Sequence, residues 1–429
     1  MPRGQPRPDH RRMQNSAPAA AGARRVQAGW SFPPRVLDLV DWFAGAFGRS
    51  SHPLSARELV ELARRRTGLA DFGDEPFEEP LQILLESYED EASLSAFGKM
   101  AARWDTVRFL SNLLMLRDAE KRRPEILREV IDQPVFITGL PRSGTTFLHY
   151  LFAQDPANRF VRCWETIYPC AEVGRRPATR DWRANRVDRH LNTFARIAPE
   201  VRRVHPIDAR SPQECTEITA HVFRSLRFDT THCVPSYQRW LDQAGHLAAY
   251  RFHRRFLCHM QHDRTPGRWV LKSPDHIFAL DDIRQVYPDA RFIFMHRSPL
   301  DVLPSLTKLT EVLRAPFTRT VNRSAIGEQV TERWVRGTDI LANEAETTNP
   351  CATHVHFRAL VQDPLGTVSK LYDWLGLEFS PEAAERLRRS AAAWPQGKDP
   401  GDKTRLEEYG LSAELVRGRF RDYMSRCKV

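Results

Sequence analysis

The chain lacks any stretch approaching the ~20 uncharged apolar residues that a membrane-spanning helix needs, so helical membrane spans are not expected. The N-terminal MPRGQPRPDHRRMQ carries paired arginines, but no apolar segment follows, so it does not read as an export signal. The sequence also has no C-x-x-C pair. Its cysteines (Cys163, Cys170, Cys215, Cys233, Cys258, Cys351 and Cys427) are scattered and odd in number, which argues against a disulfide framework and for reduced thiols. A cytoplasmic location is the expectation. Cys258, His259 and His262 fall at helical spacing within RFHRRFLCHMQHDR and read as a helix surface rather than a metal site. No internal repeat is visible.

Lysine is scarce too. The 64 basic residues are overwhelmingly arginine, and against 54 acidic ones they leave a net charge of +10. Arginine offers a planar fork to phosphate or sulfate, so the excess suits an anionic ligand. The competing reading is a solvated basic surface with a basic tail. With 41% hydrophobic and 28% charged residues, the composition is that of a soluble globular enzyme. The charge alone does not indicate nucleic acid, because the arginines are spread over the whole length without interleaved aromatics on a defined motif.

Along the chain, residues 1–33 are rich in Pro, Arg and Ala and read as a disordered basic tail. Residues 34–131 carry a helical period. VLDLVDWF puts Val36, Leu37, Val40 and Phe43 on one stripe, and Ser55 to Glu58 forms a capping box ahead of ELVELARRR. Amphipathic runs follow at 81–88 and 97–119, with Trp104, Phe109, Leu113 and Met115 expected mainly in the core, the alternative being the lining of a lipid-sized site. From residue 132 to 429 short apolar runs appear instead: PVFIT, RFVRC (159–163), RWVLK (268–272), RFIFMH (291–296) and THVHF (353–357). Helical segments separate most of them, so the fold class expected is α/β, a parallel sheet flanked by helices with an N-terminal helical extension.

The first of these runs leads into GLPRSGTT, residues 139–146, and then into the helical TFLHYLFAQ. Gly139 and Gly144 match the frame G-x-x-x-x-G-K-[ST], but Thr145 stands where the lysine belongs. A strand–loop–helix turn aims main-chain N–H groups at one point and adds the helix dipole, which makes an anion nest. Arg142 adds a full charge, and Thr145 and Thr146 add hydroxyl donors. A nucleotide hydrolase would also need an Asp after a second apolar strand to hold magnesium. Here FIFMH ends in Arg297, which repels a cation and attracts a second anion. A P-loop small-molecule kinase and a nucleic-acid binder therefore stand only as alternatives.

GLPRSGTTFLH together with RFIFMHRSPLDVLPSL resembles the bacterial sulfotransferases that use 3'-phosphoadenosine-5'-phosphosulfate. TGLADFGDEPFEEPL, Trp164-Glu165, HPIDARSPQE, WVLKSPDHIFALDDIRQVYPDARF and DPLGTVSKLYDWLGL extend the resemblance over residues 35–425. It implies a P-loop-NTPase-like sulfotransferase core. It also implies that Arg142, Ser143, Gly144, Thr145 and Thr146 hold the donor's 5'-phosphosulfate, and that Arg297 and Ser305, eight residues apart, hold its 3'-phosphate. No metal is implied. The sequence departs from the family where the usual Tyr-Glu before Asp-Pro is Phe357-Arg358, and where an aromatic is missing near Leu406.

Sulfuryl transfer proceeds in line, with charge building on the leaving phosphate oxygen, so fixed positive donors can replace a metal. Lys272, at the end of RWVLK, is the expected partner of the bridging oxygen. The acceptor is expected to be a hydroxyl of a small molecule, lipid or glycan, and its proton needs a base. Glu165 comes first, since its place resembles the catalytic glutamate of tyrosylprotein sulfotransferases. His276 follows, by loose analogy with the cytosolic enzymes. Glu214 is third, because a place in the first turn of a helix would stabilise its charge.

Overall fold

The computed structural model describes residues 53–170, 182–204, 206–265, 267–394 and 404–429. The basic N-terminal tail and the VLDLVDWF stripe lie outside them, as does the whole Gly397–Lys403 stretch before Leu406. Three helices open the described chain: α1 (Ala56–Thr67), α2 (Glu78–Asp90) and α3 (Ala96–Arg122). The Ser55 hydroxyl accepts the Glu58 N–H at 3.4 Å, so the expected N-cap is present. Among the α3 residues named from the sequence, Phe109 and Leu113 are buried, whereas Trp104 is 42% exposed. Among the described residues no helix is long and apolar enough to cross a membrane.

Five parallel strands make the sheet: β1 (Val135–Gly139), β2 (Asn158–Arg159), β3 (Arg268–Lys272), β4 (Arg291–His296) and β5 (Ala352–His356). Their spatial order is β2-β3-β1-β4-β5. Four of the apolar runs are strands. Of the fifth, RFVRC, only Arg159 pairs with β3, together with Asn158 just before it, and the chain from Cys163 turns into a short helix, Cys163–Ile167. Its ladder is instead continued by the segment Ser211–Cys215: Gln213 N–H donates to Val161 C=O at 2.8 Å, and Cys215 N–H to Lys272 C=O at 3.0 Å.

Both faces of the sheet are covered, as an all-parallel sheet requires. On one face Phe136, Leu271, Phe292 and Phe294 join a core shared with α1, α2 and α3. On the other, Val135, Ile137, Val270, Ile293 and Met295 pack against α4 (Thr145–Phe152) and the helix Pro364–Leu375. Strand alternation along VFI thus feeds two cores, so these runs are apolar throughout. All seven cysteines are free thiols. His259 and His262 are held by Glu120 and Glu129, each at 3.0 Å, which accounts for the Cys258-His259-His262 grouping as a helix surface.

β1 lies between β3 and β4, so the ends of three adjacent strands surround the loop that follows it. In open α/β sheets this carboxyl edge is where ligands bind. Gly139 closes β1 at φ +149°, and a Cβ there would sit 2.4 Å from the Met295 carbonyl oxygen of β4. Gly139→Ala should therefore cost about 2–5 kcal/mol, from backbone strain plus overpacking. Urea unfolding would measure it, with Gly418→Ala, which meets nothing within 4 Å, as the neutral control.

Candidate active site

The loop Leu140–Ser143 turns back on itself, with Ser143 N–H donating to Leu140 C=O at 3.1 Å. Two left-handed residues shape it, Arg142 at φ +67° and Gly144 at φ +95°. Only glycine fits the second, since a Cβ would come 2.7 Å from the Phe357 ring. Helix α4 starts at Thr145, and its first-turn N–H groups have no partner within the helix. The Ser143 hydroxyl is buried and carries no hydrogen bond. A buried, unpaired hydroxyl beside unpaired amides fits an anion-holding turn.

Arg142 reaches from the loop to α5 (Pro299–Arg314), where its Nε donates to Ser305 Oγ at 3.0 Å. Arg297, just past β4, donates from Nη1 to the Arg142 carbonyl at 2.8 Å. Its guanidinium lies 4.0 Å from the Phe357 ring centroid, and its Nε is buried without a partner. Arg142, Arg297 and Ser305 therefore converge. Residues expected from the sequence to form two separate anion pockets touch in this structure, because the loop arginine extends to the serine expected in the other pocket. Phe357, noted in the sequence only as a departure from the family pattern, covers both Gly144 and Arg297.

Lys272, the last residue of β3, is buried. Its Nζ donates to Thr146 Oγ1 at 3.2 Å and forms an ion pair with Glu214. Glu214 does not occupy a first helical turn as expected. Cys215 caps the following helix, Thr216–Thr219, so Glu214 precedes it, on the ribbon stitched to β3. A cavity of about 280 Å³ opens here, lined by Pro141, Glu214, Asp275, Leu306, Leu309 and Trp334 among others. Arg227 and Glu217, also on its wall, are already paired: Arg227 bonds Glu217 and Asp105. Burial pushes the Asp105 carboxyl up, but the charges of Arg227 and Arg108 outweigh it and hold the pKa at about 2.

The other two base candidates are placed differently. Glu165 is buried, and both its oxygens are engaged: Oε1 accepts from Arg264 at 2.6 Å and Oε2 from the Arg162 N–H at 2.8 Å. The second bond caps the Cys163–Ile167 helix. His276 is fully buried, with Nδ1 2.6 Å from the Tyr250 hydroxyl and its ring against Phe136. Burial pushes its pKa well below the usual histidine range, so it is neutral at pH 7.

Asp275 was not singled out in the sequence. It follows Ser273, whose Oγ accepts the Asp275 N–H at 3.1 Å, so S-P-D looks like an ordinary helix start. Burial raises its pKa to about 7, against the lowering effect of the Leu226 N–H bond. Sequence spacing gives no hint that this carboxyl faces a cavity.

A family model described as the sulfotransferase family matches residues 134–381, more than half of the chain. The chain belongs to this family. Among solved structures, this sulfotransferase is similar to sulfotransferase STF1 from Mycobacterium tuberculosis H37Rv: 30% identical, TM-score 0.73, covering 86% of this chain and 98% of that one. It is also similar to STF9 from Mycobacterium avium, at 25% identity and TM-score 0.73, covering 86% and 96%. Among curated relatives, the omega-hydroxy-beta-dihydromenaquinone-9 sulfotransferase Stf3 from Mycobacterium bovis is 25% identical over 274 residues, which is 61% of this chain and 68% of the relative. The enzyme is thus a transferase with a parallel-sheet sulfotransferase fold.

Proposed function

We propose that this sulfotransferase uses 3'-phosphoadenosine-5'-phosphosulfate as donor and an alcohol as acceptor, by in-line transfer without a metal. The observation that carries the reading is the position of Lys272, whose ammonium joins Thr146 of the anion-holding helix to Glu214 on the cavity wall. The donor supplies the sulfuryl group, and adenosine 3',5'-bisphosphate leaves. The loop amides, Ser143, Thr145, Thr146 and Arg142 hold the 5' end, and Arg297 with Ser305 holds the 3'-phosphate. Lys272 faces the leaving oxygen with a fixed positive charge.

Glu214 takes the proton of the acceptor hydroxyl. It is favoured over Glu165 because it lines the cavity beside Lys272, whereas both Glu165 oxygens serve Arg264 and a helix cap. It is favoured over His276 because that imidazole is fully buried, bonded to Tyr250 through Nδ1 and not among the residues that line the cavity. The apolar walls, with Leu306, Leu309 and Trp334, suit the aliphatic part of a lipid-like alcohol, in keeping with the menaquinone-derived substrate in the name of the Stf3 relative.

Calorimetry tests the donor assignment. Adenosine 3',5'-bisphosphate should bind about 10²–10³-fold more tightly than adenosine 5'-monophosphate, as expected for two charge-assisted contacts. Equal affinities would end the role given to Arg297 and Ser305.

A further inference from the structure

Two polar side chains on the acceptor cavity are satisfied on one side and open on the other. Asp275 Oδ2 accepts the Leu226 N–H at 2.9 Å and lies 3.5 Å from Ser225 Oγ, but Oδ1 is buried without any partner. Arg333 bonds Asp242 through Nη1, and its guanidinium lies 3.6 Å from the Phe278 ring centroid. Its Nε and Nη2 are buried and unpartnered. Those two nitrogens form one edge of the guanidinium, the edge that grips a planar oxygen group side-on. Both residues line the same cavity as Glu214.

Neighbouring charged groups on that cavity have no such vacancy. Arg227 pairs with Glu217 and Asp105, and Arg314 donates to the Asp229 carbonyl and to Gln329. Native proteins rarely leave buried donors and acceptors unpaired, so a donor edge and an acceptor atom left open on one cavity call for a ligand group. The fixed partners Asp242 and Leu226 hold the two side chains in place, so the open positions are preorganised.

We propose that Asp275 and Arg333 form a second polar contact point in the acceptor cavity, which recognises a carbonyl-type group, a carboxylate or a carboxamide, on the acceptor molecule. The proposal rests on reading this cavity as the acceptor pocket. The acceptor is then bifunctional. Its hydroxyl meets Glu214, its aliphatic body lies along Leu306, Leu309 and Trp334, and its carbonyl oxygen takes the Arg333 edge. A carboxamide would in addition donate an N–H to Asp275 Oδ1, which a carboxylate cannot do.

Calorimetry on the full chain tests this without turnover, using three ligands of equal chain length: a terminal hydroxy fatty acid, its carboxamide and the plain primary alcohol. Over a series of roughly four to ten carbons, the acid or the amide should bind about 10–100-fold more tightly than the alcohol. The tighter of the two names the group. Arg333→Gln should bring all three within about threefold of one another; Asp242 keeps Arg336 as its ion partner in that variant. If the wild type binds the three equally, or binds none, ordered water fills the open positions and the proposal is wrong. Binding of adenosine 3',5'-bisphosphate, measured on the same samples, reports separately on the sulfotransfer reading. A carbonyl preference without nucleotide binding would overturn that reading alone, and nucleotide binding without a preference would overturn only this one.

Discussion

Glu214→Gln should slow turnover about 10²–10⁴-fold, the range spanned by a positioned general base. Glutamine keeps the shape and can still accept a hydrogen bond from Lys272, so the loss reports on proton removal rather than on collapse of the site. Affinity for adenosine 3',5'-bisphosphate should stay within about threefold of wild type, because Glu214 lines the proposed acceptor cavity and takes no part in the contacts of Arg142, Arg297 and Ser305. Initial rates with labelled donor give the first number, and calorimetry the second. Glu165→Gln is the informative contrast. It weakens a half-buried ion pair with Arg264 and a helix cap, so the melting temperature should fall while the rate of the folded fraction stays within about tenfold of wild type. If the Glu165 variant loses activity and the Glu214 variant keeps it, the two roles are reversed.

Lys272→Met should cost a further large factor, about 10²–10³ in kcat, as when one fixed donor is removed from developing transition-state charge. Two effects compete in this variant. Methionine fills the volume at the end of β3, so packing loss is small, but Glu214 loses its ion partner. The Glu214 side chain is 25% exposed, so water can take over part of its solvation and the stability cost is modest beside the catalytic one. Lys272→Arg retains the charge yet places a wider fork against Thr146, so it should recover only part of the loss. With the proposed roles on one transfer step, combining Lys272→Met with Glu214→Gln should cost much less than the sum of the two. Strict additivity would show that they do not share it.

Much of the fold was legible because parallel strands buried on both faces read as plain apolar runs, as β1, β3 and β4 do, and the half-buried edge strand β5 also stands where such a run is. RFVRC was the exception. Its edge position leaves one side to be paired by Ser211–Cys215, a connection no local pattern announces. The turn after β1 was equally legible, since Gly139 and Gly144 are required by backbone approach to Met295 and by the ring of Phe357. The acidic residues were not. A glutamate in a helical cap and a glutamate beside a lysine look alike in sequence, and only tertiary packing separates Glu165 from Glu214. Asp275 and Arg333 lie 58 residues apart in number and meet one cavity only through the fold.

The ribbon Ser211–Cys215 holds Glu214 to the same main-chain ladder that carries Lys272. The apolar walls of the neighbouring cavity come from elsewhere, from α5 and the segment after Phe223. Substitutions in those walls can reshape the cavity without shifting the Glu214 carboxylate and the Lys272 ammonium against each other, so under the proposed roles acceptor preference can be re-engineered while the geometry of the transfer step stays fixed.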